Sequence, residues 1–143
     1  RPGMSWRLRS MAVALLAMAM SASAEQGPST IDVTNYPAAA RESYKVFAAR
    51  CTRCHELSRP ITAAYVLPDQ WKFCVDRMTD KWFSGINKEK SKLILDFLIY
   101  DSSVRKQPLL EAALAKLSAD ARKAAEDRIA EIRLRYEKGS PSP

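Results

Sequence analysis

Cys51, Cys54 and His55 lie within the five-residue run Cys51-Thr52-Arg53-Cys54-His55. Two thiols one helical turn apart can each add to a vinyl group on a porphyrin edge, forming two thioethers. The imidazole that follows is then carried under the ring, where one of its nitrogens becomes the proximal ligand of the iron. The pattern is C-x-x-C-H, the attachment signature of a c-type haem, and it predicts one haem c held covalently. His55 is the sole histidine of the chain, so iron ligation of this kind has to use it.

Other chemistries compete for the same residues. A thioredoxin-like pair opens a helix after a strand, whereas Tyr44 to Arg50 has helical spacing with no strand before it. Cys51, Cys54, Cys74 and His55 could supply zinc, but sequence-adjacent Cys54 and His55 converge poorly on one tetrahedral ion. A Cys51–Cys54 disulfide would leave His55 without a role.

A haem iron with one histidine takes a second axial partner or stays open. Apart from Met4, Met11, Met18 and Met20 near the amino terminus, Met78 is the one methionine. Trp71, Cys74, Val75 and Met78 fall at i, i+3, i+4 and i+7, so a thioether projects from an apolar helical stripe. That points to His55 and Met78 as the iron ligands, a pairing that raises the potential relative to two imidazoles. The competing duty of Met78 is filling core space, and a lysine ligand or an open iron are further options. Cys74, on the same stripe, is expected to be buried against the haem. Trp71, Phe47, Tyr44, Trp82 and Phe97 are expected as core and haem-wall residues. Pro60 or Pro68 could turn a carbonyl toward the second nitrogen of His55 and fix its tautomer.

The elements that must position these groups are all helical, because no strand signal of useful length occurs. A first helix is predicted from Ala38 to about Ala49, with Tyr44, Phe47, Ala48 and Cys51 on one face. Pro60 and Pro68 bracket an irregular loop over 58–68. Asp69 is expected to cap a helix from Gln70 to about Trp82, and Asn87 to open another through Tyr100 with an apolar face of Leu93, Ile94, Phe97, Leu98 and Tyr100. Ser102 to Pro108 reads as a polar break and domain edge. Leu109 to Lys138 is rich in strong helix formers. Ser118 and Asp120 mark an internal cap there, and Leu110, Leu114, Leu117, Ala121, Ala125, Ile129, Ile132 and Tyr136 form a narrow stripe.

The amino terminus reads as a secretory signal peptide over 1–24. It has a cationic start with Arg7 and Arg9, an apolar run from Met11 to Met20, and an A-x-A site with cleavage after Ala24. The apolar run is shorter than the roughly 20 residues of a membrane-spanning helix. Residues 25–37 are expected as a flexible leader, 38–107 as the haem domain, 108–138 as an amphipathic helical extension and 139–143 as a disordered tail. Of 23 Lys and Arg against 16 Asp and Glu, removal of Arg1, Arg7 and Arg9 leaves 20 bases and a net charge of +4. Such a mildly basic chain is not a nucleic-acid binder by charge. It carries no P-loop or Rossmann glycine pattern, and nothing in it suggests a catalytic constellation or a small-molecule substrate.

From Tyr44 to Tyr100 the chain resembles the small monohaem class I c-type cytochromes. The matching positions are Cys51, Cys54 and His55, Arg59-Pro60, Leu67-Pro68, Trp71, Val75, Arg77-Met78, Ile86, Phe97-Leu98 and Tyr100-Asp101. The layout is similar to the haem domain of bacterial reaction-centre cytochromes and related periplasmic cytochromes. The resemblance implies an all-α, cytochrome c-like domain wrapped around one covalent haem, His/Met ligation and electron shuttling. It also implies export, because such haems are attached on the outer side of the bacterial inner membrane. Redox proteins are then the expected partners, with a membrane-bound redox complex as one setting. Arg50, Arg53, Arg59, Lys72, Arg77 and Lys81 are candidates for steering an acidic partner. The segment covers under half of the chain, and the helical extension after Pro108 departs from the minimal pattern.

Overall fold

A computed structural model describes residues 27–139. Its regular elements are the helices α1 (Ala38–Cys51), α2 (Ser58–Thr62), α3 (Pro68–Thr79), α4 (Lys88–Arg105), α5 (Gln107–Leu114) and α6 (Ala119–Glu137). Among the described residues there is no strand, so the all-α expectation holds at that level. The expected signal peptide lies outside the described residues, as does the tail beyond Gly139. No helix of the described residues is long and apolar enough to cross a membrane.

The core forms where α1 crosses α4. Phe47 and Phe97 are fully buried with ring centroids 5.4 Å apart, and Tyr44 meets Phe97 at 5.3 Å. Offset and tilted rings at such distances add to the burial of their apolar area. Helix α4 begins as its sequence suggests, with the Asn87 side chain accepting from the Lys90 N–H at 2.9 Å. It then packs against α1, α3, α5 and α6. Every residue from Asp96 to Ser103 is buried.

Several local expectations change for this reason. The polar run at Ser102 is no break, because α4 continues to Arg105. Ser102 accepts from the Trp71 indole at 2.8 Å, and Ser103 donates to the Tyr100 carbonyl at 2.7 Å. The Pro-bracketed loop contains the short helix α2, with Pro60 in its first turn, where a missing N–H is tolerated. Helix α3 starts at Pro68 instead of after Asp69, and stops at Thr79. Gln70 Oε1 reaches back to accept from the Val66 and Leu67 N–H groups, both at 3.0 Å. The expected flexible leader is anchored over its second half. Ile31 and Tyr36 are buried, and the Tyr36 hydroxyl donates to Asp101 at 2.8 Å.

The carboxy-terminal stripe folds back onto this core. The piece divides into α5 and α6, with Ser118 accepting from the Ala121 N–H at 3.4 Å, and Gly139 leaves α6 at φ +66°. Leu110, Leu114, Ile129, Ile132 and Tyr136 are buried, while Ala121 is exposed. The Tyr136 hydroxyl bonds Ser43 of α1 at 3.0 Å. Buried Asp96 of α4 receives Arg135 at 2.6 Å and Arg128 at 2.9 Å from α6. Removing one partner of a buried pair leaves an uncompensated charge.

Two outcomes follow from these contacts. Asp96→Ala removes the buried carboxylate that Arg128 and Arg135 share, leaving Arg135 only the exposed Glu131, and is expected to lower unfolding free energy by about 3 kcal/mol, read from urea denaturation. Lys123→Ala, which breaks an exposed pair with Asp127, should leave the midpoint unchanged. Lys106 donates to the Ala63 carbonyl at 2.7 Å over the Trp71 ring, and burial together with nearby Arg105 pushes its pKa down to about 8. The unfolded chain therefore binds the extra proton between about pH 8 and the ordinary lysine value of 10.5, so this group's penalty eases and stability rises with pH across that window. Lys106→Met should abolish that rise in denaturation midpoints measured from pH 7.5 to 10.5.

Candidate functional site

Helix α1 delivers the two cysteines and the histidine. It ends at Cys51, and Thr52 to Cys54 continue as a turn, with the Arg53 N–H donating to the Arg50 carbonyl at 3.3 Å. Cys51 is half-buried, and Cys54 is exposed. His55 follows with its Nδ1 at 3.1 Å from the Glu56 carbonyl. A carbonyl only accepts, so Nδ1 carries the proton and Nε2 keeps its lone pair available for a metal. The tautomer is set by the neighbouring Glu56 carbonyl, in place of the expected carbonyl of Pro60 or Pro68.

Helix α3 supplies the opposite wall. Trp71, Cys74, Val75 and Met78, the predicted stripe, all face one cavity that also contains Cys51, Cys54 and His55. The indole hydrogen bond to Ser102 fixes Trp71, and so ties the wall to the central helix. Phe47 comes from α1, Ile94 and Leu98 from α4, Pro60 from α2, and Ser84 and Ile86 from the loop between α3 and α4. The cavity has about 540 Å³ of empty space, part of it continuous with solvent.

The side chains around this space meet the chemical demands of a c-type haem. Three thiols, an imidazole with a free Nε2 and a thioether share this space, and apart from Arg50 and Ser84 the remainder is apolar. Among the described residues no three His, Cys, Asp or Glu side chains group to hold a metal ion. Cys51, Cys54, Cys74 and His55 therefore do not form a zinc cage. His55 and Met78 would be the residues of this chain that hold the iron of such a group.

Burial pushes the Cys51 thiol up to about 12, with Cys74 and Cys54 nearby adding to the effect. Burial also raises Cys74, partly opposed by Arg77. All three sulfurs thus belong to one environment, which the sequence hinted at only by placing Cys74 on the Met78 stripe. Ile94 and Leu98, an i, i+4 pair, were legible as an apolar face but not as cavity wall. Trp82 departs from its expected place in the wall. It is 93 % exposed, with its ring 5.5 Å from that of Phe83. The chain reverses just after it, where the Ser84 N–H donates to Lys81 and the buried Ser84 hydroxyl accepts from Ile86.

The basic residues around the motif do not act alike. Lys72 pairs with Asp76, and Arg77 lies 5.6 Å from the Phe73 ring centroid. Arg50 lines the cavity, whereas Arg53 and Arg59 border an open surface hollow beside it that shares Cys54 and His55.

Comparison of the chain with protein-family models, curated proteins and solved structures gives no match.

The burial difference predicts the order of thiol reactivity. In the reduced chain without cofactor, iodoacetamide at pH 8 should modify Cys54 well before Cys51, because only the thiolate attacks. Mass mapping of the alkylated sites checks this, and equal rates at all three cysteines would contradict the burial of Cys51.

Proposed function

We propose that this chain is an exported, periplasmic electron-transfer protein carrying one covalent haem c. The observation that carries the reading is a single apolar cavity holding both cysteines of the C-x-x-C-H motif, His55 and, from a different helix, Met78. When bound, the haem would supply one-electron chemistry at its iron. Cys51 and Cys54 would hold the porphyrin through thioethers. His55 would offer Nε2, oriented by the Glu56 carbonyl on Nδ1. Met78 would offer its sulfur from α3, and the walls from Phe47, Trp71, Val75 and Leu98 would keep water away from the ring. A dry, low-dielectric surround and a sulfur ligand both favour the reduced iron over the more charged oxidised form.

In this reading the chain exchanges electrons with redox proteins, a membrane-bound complex being one setting, and transforms no small-molecule substrate. The carboxy-terminal stripe lends little support to a docking role for α6, because Ile129, Ile132 and Tyr136 are buried within the chain itself. An open-iron sensor is the competing reading, and the presence of Met78 in the cavity weighs against it.

Expression in a host that attaches haem c should yield a coloured protein with one haem per chain. Its alkaline pyridine spectrum should be that of a haem with two thioethers. Met78→Ala should keep the colour, lose the weak ferric band of sulfur ligation near the red edge, lower the reduction potential, and gain rapid carbon monoxide binding when reduced. A colourless protein would remove the reading altogether.

A further inference from the structure

Three large apolar side chains left exposed, Phe73, Trp82 and Phe83, lie on α3 and in the turn after it. Phe73 is two positions from Trp71 and stands on the side of α3 turned away from the cavity. Its ring carries the Arg77 guanidinium 5.6 Å from the centroid. Trp82 is 93 % exposed, so it projects from the turn instead of lining a hollow, and it packs edge-on against Phe83. Hydrogen bonds fix this turn. The Lys81 N–H donates to the Met78 carbonyl at 3.3 Å, and the Ser84 N–H to the Lys81 carbonyl at 2.9 Å. The buried Ser84 hydroxyl accepts from the Ile86 N–H at 3.2 Å and donates to the Thr79 carbonyl at 3.4 Å. The indole is thus held out in water, where its apolar area returns nothing to the fold.

Cations stand among these rings. Neither Arg77 nor Lys81 has a carboxylate partner among the described residues, and Lys88 opens α4 exposed. Over residues 72–92 six Lys and Arg face three Asp and Glu, so this edge of the molecule is positive. Rings interleaved with long cationic side chains suit the boundary of an anionic bilayer. An indole settles there at headgroup depth, its ring in the acyl boundary and its N–H in water. Neighbouring Lys and Arg lay their methylenes along the apolar layer while their charges meet phosphates. An acidic protein would satisfy the cations, yet it would have to supply a pocket for an indole that stands clear of its own fold. A bilayer needs no such pocket.

We propose that the outward side of α3 and the turn at Lys81–Ser84 form a peripheral contact face for an anionic phospholipid bilayer. Trp82 and Phe83 are the inserted wedge, and Arg77 and Lys81 meet the phosphates. The ordered turn presents the wedge without a further cost of fixing it. This face does not depend on a bound haem, because its groups lie outside the cavity that holds Met78.

Flotation with lipid vesicles tests the proposal, with the exported chain quantified on gels so that colour is not required. Vesicles of equal parts phosphatidylglycerol and phosphatidylcholine should carry the chain at low salt. Vesicles of phosphatidylcholine alone should bind it at least about tenfold more weakly. Trp82→Ala should weaken binding to the anionic vesicles by about tenfold, Trp82→Phe should restore most of it, and Lys81→Gln should cost about fivefold. Both side chains are exposed, so these variants should keep the helical circular dichroism and the urea midpoint of the parent chain. Absence of binding to the anionic vesicles overturns the proposal. So does binding indifferent to Trp82→Ala, which a retained apolar amino terminus would give. Association with soluble polyglutamate but not with vesicles overturns it in favour of an acidic protein partner. A colourless chain that still floats ends the haem reading and leaves this one standing.

Discussion

Helix α4 packs against four other helices, and this forces each polar side chain buried on it to find a partner inside the protein. An unpaired buried carboxylate or hydroxyl would cost more than the surrounding apolar contacts return. Asp96 is met by Arg128 and Arg135, Asp101 by Tyr36 and Arg105, and Ser102 by the Trp71 indole. Arg105 lies on α4 itself, while the other partners come from α6, the segment before α1, and α3. The satisfied polar groups therefore do more than avoid a penalty. They determine which elements stand around α4 and in what order.

The cavity inherits its shape from that arrangement. Its α3 wall is held by the bond from Trp71 to Ser102, and its α1 wall by the packing of Phe47 and Tyr44 on Phe97. Met78 and Cys51 come from helices that both lean on α4, which places a thioether and the attachment cysteines around one space. The chemistry-bearing residues lie at helix ends, where the backbone can turn: Cys51 closes α1, and Met78 is the penultimate residue of α3. Rigid packing at the helix centres and freedom at their ends would suit the haem site proposed above.

The carboxy-terminal helices belong to the same structure. With Asp96 buried, α6 contributes the arginines that neutralise it, and Tyr136 closes over Ser43 of α1. The short loop after α3 has the opposite character. Ser84 turns inward and Trp82 outward within a few residues, and Gly85, at φ +64°, lies close to the side-chain ends of Arg50 and Arg53.

Spacing by itself determined the all-helical class, the grouping of Trp71, Cys74, Val75 and Met78 on one face, and the caps at Asn87 and Ser118, and it carries the C-x-x-C-H motif on which the proposed haem rests. These are properties of contiguous residues, governed by helical periodicity and local hydrogen bonding. Tertiary structure decided what depends on partners distant in the chain. Ser102 and Asp101 read as a polar boundary because Trp71 and Tyr36 meet them only after folding. The leader reads as loose because Ile31 and Tyr36 find their burial against helices elsewhere in the chain. Trp82 reads as core because its type favours burial, yet the reversal at Ser84 points it to solvent. The approach of the Arg50 and Arg53 side chains to Gly85 was equally hidden, since no local rule brings a loop more than 30 residues away close to them.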